Sequence, residues 1–159
     1  MAEVFAPKVA SAVLKVTFNM AKSAVQELRK RIAELALNEQ LRDELCSRVS
    51  QLQCILQQIE TTAHDTDDEA ILRGIKEVEH VFSKCLKTCD QIEKQKLHLK
   101  LWKVPSNKKE VNDLDRLLIH SLEVLSFLLD VSNYHSNAKR RRDLKHIEAA
   151  CKKSTSRVL

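Results

Sequence analysis

A chain of 159 residues with one glycine, Gly74, and two prolines, Pro7 and Pro105, has little with which to turn. Ordinary domains use roughly 7% Gly and 5% Pro, because tight turns need a positive or a pre-set φ. A sheet needs such a turn every few residues, so an all-α fold is predicted. One domain is expected at this length, burying about two thirds of its unfolded surface. Aromatic residues are 4% of the chain, so the core must be aliphatic, with cysteine filling in.

Apolar spacing divides the chain into four long helices. The first is predicted from near Pro7, a residue suited to a first helical position, to about Leu37. Its second half carries Val25, Leu28, Ile32 and Leu35 at gaps of three and four. Asn38 is expected to cap or break. Leu41, Leu45, Val49, Leu52, Leu56 and Ile59 then form the stripe of a second helix. Thr66 and Glu69 make a T-x-x-E capping box, with Asp67 and Asp68 suited to the positive end of a helix dipole. The third helix has the cleanest pattern: Ile71, Ile75, Val78, Phe82, Cys85, Cys89 and Ile92 recur at gaps of 4-3-4-3-4-3, a heptad seam. Gly74 inside it costs about 1 kcal/mol against Ala, which a close helix crossing would explain.

Pro105-Ser106-Asn107 reads as a turn, with a fourth helix from near Lys108. Its stretch "LLIHSLEVLSFLLDV", residues 117–131, holds only two charges, Glu123 and Asp130. A helix apolar nearly all round is expected at the centre of its partners. "SNYHSN" is expected to interrupt it before a short basic helix over about 138–152. The predicted architecture is an up-down four-helix bundle over residues 1–135 with an additional C-terminal basic helix. Residues 136–159 would be a brace helix or a linker to a following domain.

The residues of catalysis are sparse. One glycine cannot build a phosphate loop, and the six histidines form no H-E-x-x-H pattern. Cys85 and Cys89 lie four apart, unlike the C-x-x-C of zinc or redox pairs, and read as core thiols. His120 and Cys46 could meet across a bundle, but nothing local supports a nucleophile pair. No enzyme activity, metal or cofactor is expected. Five cysteines on helical faces suit reduced thiols in the cytoplasm. The acidic Met-Ala-Glu opening does not fit a secretory signal. The net charge of +5 is a tail effect: residues 139–159 carry eight Lys/Arg against Asp143 and Glu148, leaving the rest at −1.

Three segments remain. "MAEVFAPKVASAVLKVTFNMA" has just three charges, Glu3, Lys8 and Lys15. As a helix it puts Val9, Val13, Val16 and Met20 on one side. It fits either a helix buried against its neighbours or one that leaves them for a bilayer, since about 20 residues reach ~30 Å. Each lysine near mid-bilayer would cost about 2.5–3.5 kcal/mol, so a water-lining ring would tolerate them better than a lone helix. "KQKLHLKLWKVPSNKK" has six lysines, no acid, and Trp102 among leucines. It suits an anionic lipid surface as well as it suits a solvated helix end. "KRRRDLK" reads as a lipid or acidic-partner patch, or as a charged linker. With no groove-reading motif, nucleic acid is not expected.

The hydrophobic opening, "LCSRVSQLQCILQQIE", "LRGIKEVEHVFSKCLK", the basic tryptophan turn and "KKEVNDLDRLLIHSLEVL" together resemble the cell-death four-helix bundles. These are the powdery-mildew-resistance-type coiled-coil domains of plant immune receptors, the N-terminal bundle of mixed lineage kinase domain-like pseudokinases, and the fungal HeLo domains. The similarity spans about residues 1–135. "MAEVFAPKVASAVL" also looks like the N-terminal motif of plant coiled-coil immune receptors, of the Met-Ala-Glu-Pro type. Here Val4 and Phe5 replace the direct proline, and Pro7 comes later.

The resemblance implies an N-terminal signalling domain of a larger receptor or pseudokinase, cytoplasmic until recruited to the plasma membrane. There it would form a homo-oligomer, bind anionic phospholipid and open a cation pore that triggers cell death. The inserting residues would be Val4, Phe5, Val9, Val13, Leu14 and Phe18, with Glu3 as an acidic ring at the pore mouth. Lys94, Lys96, Lys100, Lys103, Lys108 and Lys109 would contact lipid, joined by Lys139, Arg140, Arg141 and Arg142. The alternative is a soluble helical adaptor that binds partner helices.

Overall fold

The computed structural model of the chain describes residues 2–63, 69–98 and 107–158, with side chains over 12–63, 69–94 and 109–153. The described residues form four helices: α1 (Ala2–Glu34), α2 (Glu39–Thr62), α3 (Glu69–His98) and α4 (Asn107–Val158). No strand occurs among the described residues. The all-α bundle expected from the missing turn residues is the fold.

Local chemistry sets the helix ends. The first helix begins at Ala2 rather than near Pro7, so the proline lies inside it, where its ring removes one backbone donor. It ends at Glu34 rather than Leu37. There Leu35 N donates to the Ile32 carbonyl at 3.2 Å and Leu37 N to the Leu35 carbonyl at 2.9 Å, which tightens the chain out of the α ladder. Asn38 is the cap that the sequence suggested. Its side-chain oxygen accepts from Gln40 N at 3.0 Å, satisfying one of the orphan donors of α2. The Thr66 half of the expected capping box lies outside the described residues; Glu69 is the first residue of α3.

Every residue of the α3 heptad seam is buried, from Ile71 to Ile92. Facing it are Val25, Leu28 and Ile32 of α1 with Leu35 just past its end, five of the six stripe residues of α2, and Leu114, Leu118, Leu125 and Leu128 of α4. Leu41 is only half-buried, because it sits in the first turn of α2. Helices α1 and α4 each pack against both α2 and α3. The order around the core is therefore α1–α2–α4–α3, which sets the consecutive helices α2 and α3 across a diagonal.

Two expectations about α4 are overturned. It is one corner of four, not a central helix: Leu117, Leu122, Val124 and Leu129 are half-buried, and Phe127 is 67% exposed. A corner helix has neighbours over only part of its circumference, so its extra apolar residues end at the rim. Nor does α4 break at "SNYHSN". Ser and Asn are weak helix formers, but neither removes a backbone donor as proline does. The helix runs on as one element of 52 residues, and the basic segment is its continuation rather than a separate helix.

Gly74 marks the α3–α4 crossing. A Cβ there would lie 2.5 Å from both Leu128 Cδ atoms and 2.9 Å from its Cγ. Gly74→Ala gains about 1 kcal/mol of helix propensity but overpacks the crossing by about 1–3 kcal/mol. A net loss of about 1 kcal/mol is expected, read as a lower urea midpoint at unchanged m. A gain would mean that Leu128 swings aside without penalty.

Candidate membrane interface

The first half of α1 is two-faced. Thr17, Phe18 and Ala21 are buried, and Leu14 is half-buried against the core. Thr17 can be buried because its hydroxyl donates to the Val13 carbonyl at 2.8 Å. Val13, Val16 (56% exposed) and Met20 (53% exposed) stand on the outer face at gaps of three and four. The segment is held by its later turns. Lys22 Nζ pairs with Glu60 Oε2 of α2 at 2.8 Å, Arg29 donates to Gln53 of α2 at 3.2 Å, and Arg31 pairs with Asp90 of α3. Such half-exposed pairs fix orientation more than they stabilise.

The structure thus separates the residues proposed to insert. Val13 faces outward, Leu14 lies at the rim and Phe18 belongs to the core. Val16 and Met20 complete the exposed stripe with Val13. Glu3, Val4, Phe5 and Val9 fall on α1, with side chains outside the described residues. Among the described residues, no helix is long and apolar enough to cross a membrane.

The basic residues fall into two groups. Lys94 near the end of α3 and Lys109 in the first turn of α4 are both exposed. Lys96 and Lys108 lie on those helices with side chains outside the described residues; Lys100 and Lys103 lie outside altogether. Lys139, Arg140, Arg141 and Arg142 are exposed on the continuation of α4. Nothing described joins the two groups.

A second surface was not anticipated. Between α3 and α4 runs a groove of about 500 Å³, floored by Gly74 and Leu128, with Val124 and Phe127 along it and Arg73 and His120 at its walls. Its sequence signal is the surplus of apolar residues on α4, more than a corner helix can bury. His120 is thus on an open wall, while Cys46 is half-buried on α2. Among the described residues, no group of three His, Cys, Asp or Glu could hold a metal ion.

No family model, no curated protein and no solved structure matches this chain.

Proposed function

We propose that this chain is an oligomerising, membrane-active signalling domain, cytoplasmic at rest, which binds anionic phospholipid at the plasma membrane and permeabilises it to trigger cell death. The observation that carries this reading is the outward apolar stripe of Val13, Val16 and Met20 on a helix whose opposite face is docked through Phe18 and Ala21. Three large apolar side chains held in water along one line gain by meeting lipid. The stripe lacks the length of a spanning helix, so permeabilisation on this reading is collective, with several copies of α1 side by side.

The reading takes the helices as alternating up and down. That sense is supported by the pairs Lys22–Glu60, Arg29–Gln53, Arg31–Asp90 and Arg48–Asp115, and by the Gly74–Leu128 crossing. On that sense the α1 stripe and the start of the exposed part of α4 share one end of the bundle. Lys94 and Lys109 then belong to the other end. The cations that would work with the stripe are Lys139, Arg140, Arg141 and Arg142, each worth about 1 kcal/mol at an anionic surface. Residues 136–159 serve as a brace or as a lead toward a following domain.

Leakage of dye from vesicles containing phosphatidylserine tests the proposal. Val16→Asp with Met20→Asp is expected to cut leakage at least about tenfold while leaving the thermal midpoint unchanged, since both sites are exposed. Leakage equal to that of the parent chain would rule out α1 as the membrane element.

The second reading, a helical adaptor, is favoured by the α3–α4 groove with its exposed Phe127. It predicts that Phe127→Ala abolishes capture of a partner helix and leaves vesicle leakage untouched.

A further inference from the structure

Ser132 is the last buried residue described on α4, yet the helix continues to Val158. None of residues 133–153 is buried, so this stretch forms an overhang of about 32 Å at ~1.5 Å per residue. A lone helix of that length in water is marginal, and most helical stability comes from packing an apolar face. This overhang has one: Leu144 and Ile147, each 59% exposed, are followed one turn on by exposed Cys151.

The charges say what covers it. At about 100° per residue, Asp143 and Glu148 flank the Leu144–Ile147–Cys151 stripe. Lys139, Arg142, Lys145, Lys152 and Lys153 fall on the far side. A helix lying stripe-down on an anionic bilayer would press its two acids into the headgroups, cancelling Arg140 and Arg141 on the same side, and turn these five cations away. The stripe is thus not the lipid-facing side, and an apolar seam edged by charge suits a partner helix.

We infer that the partner is the overhang of a second copy, docked antiparallel. Written as heptads, Leu144 and Cys151 take the a positions and Arg140 and Ile147 the d positions. Antiparallel pairing sets Leu144 against the Ile147 of the second copy and Arg141 against its Glu148, each twice by symmetry. Parallel pairing would instead set Asp143 against the Glu148 of the second copy, also twice. Arg140, opposite the second Cys151, extends its guanidinium to the rim. The cationic sides of both helices face outward. This dimer goes beyond the membrane reading and does not depend on it.

Sedimentation equilibrium of the full chain is the test. A reversible dimer is expected at about 0.1 mM chain, dissociating on dilution to about 1 μM. Leu144→Asp with Ile147→Asp should leave a monomer at both concentrations, with vesicle leakage measured in parallel to separate the two proposals. Arg141→Glu and Glu148→Arg should each weaken the dimer about tenfold, and the two together should restore it. A chain that stays monomeric at about 0.1 mM overturns the inference. So does a Glu148→Arg chain that dimerises more tightly, the signature of parallel pairing through Asp143.

Discussion

Replacing Phe82 by Ala is expected to remove about 3–5 kcal/mol of unfolding free energy, the largest single loss in the chain. Phe82 is fully buried at the middle of the α3 seam, between Val78 and Cys85, and is the largest fully buried side chain in a core made mostly of Leu, Ile and Val. Two effects add. The ring forfeits its transfer out of water, and the cavity left behind closes only in part. A bundle of this size has about 5–15 kcal/mol in all, so the variant would sit near its unfolding threshold at 37 °C. Urea unfolding followed by circular dichroism gives the number. Phe82→Leu, which keeps most of the volume, should recover more than half of the loss. A loss under 1 kcal/mol for Phe82→Ala would mean that the four helices do not share a single core.

How much of this was legible in the sequence depends on which physical rule writes each feature. The α3 seam was fully legible, because a run of seven apolar residues at alternating gaps has only one way to be buried. The same rule extended backward along α1 gives Phe18, Ala21, Val25, Leu28, Ile32 and Leu35, all buried. Phe18, which the resemblance groups with the inserting residues, shares this buried phase, and Val16 with Met20 is the outward pair. The ring order was not legible. Spacing says which face of a helix is apolar but not which neighbour it meets, so the diagonal placement of α2 and α3 had no signal. The continuity of α4 through "SNYHSN" was misread because weak helix formers were given the weight of true breakers. Where the chain holds no Gly or Pro, a helix stops only if something competes for its backbone.

The docking of Phe18 also bears on how α1 would meet a bilayer. On the membrane reading, an α1 that enters lipid beyond Val13 must withdraw Phe18 from the core, forfeiting about 2–3 kcal/mol of burial. The stripe of Val13, Val16 and Met20 can touch lipid with no such loss. First contact with α1 still docked, and deeper entry only in an assembly, is the order that these energies favour.

The thiols of Cys85 and Cys89 are expected to react with a disulfide reagent at least about a thousandfold more slowly than an ordinary thiol. Both sit on the α3 seam, and both are pushed up to about 12 from 9.0. Burial is the main cause for each, reinforced by the adjacent Cys89 in the first case and by Asp90 and Glu93 in the second. The thiolate is the nucleophile, so three pKa units cost about three powers of ten in reactive species below pH 9, before access is counted. Exposed Cys54 and Cys151 should label within the first phase at pH 8. Cys85 and Cys89 should follow only at the rate at which α3 opens, and in urea all five should react together. Linkage gives the pH dependence. Unfolded thiols lose their protons near 9, whereas the folded ones keep theirs until about 12. The stabilisation is therefore whole below pH 9 and is lost as pH rises from 9 to 12. The urea midpoint should fall across that window and level off beyond it. Cys85→Ser with Cys89→Ser should destabilise the bundle at pH 7, where a hydroxyl replaces a thiol in an apolar seam, and should flatten the alkaline slope. Rapid labelling of Cys85 or Cys89 in native buffer would instead show that the α3 seam opens without global unfolding, and that the core is divided.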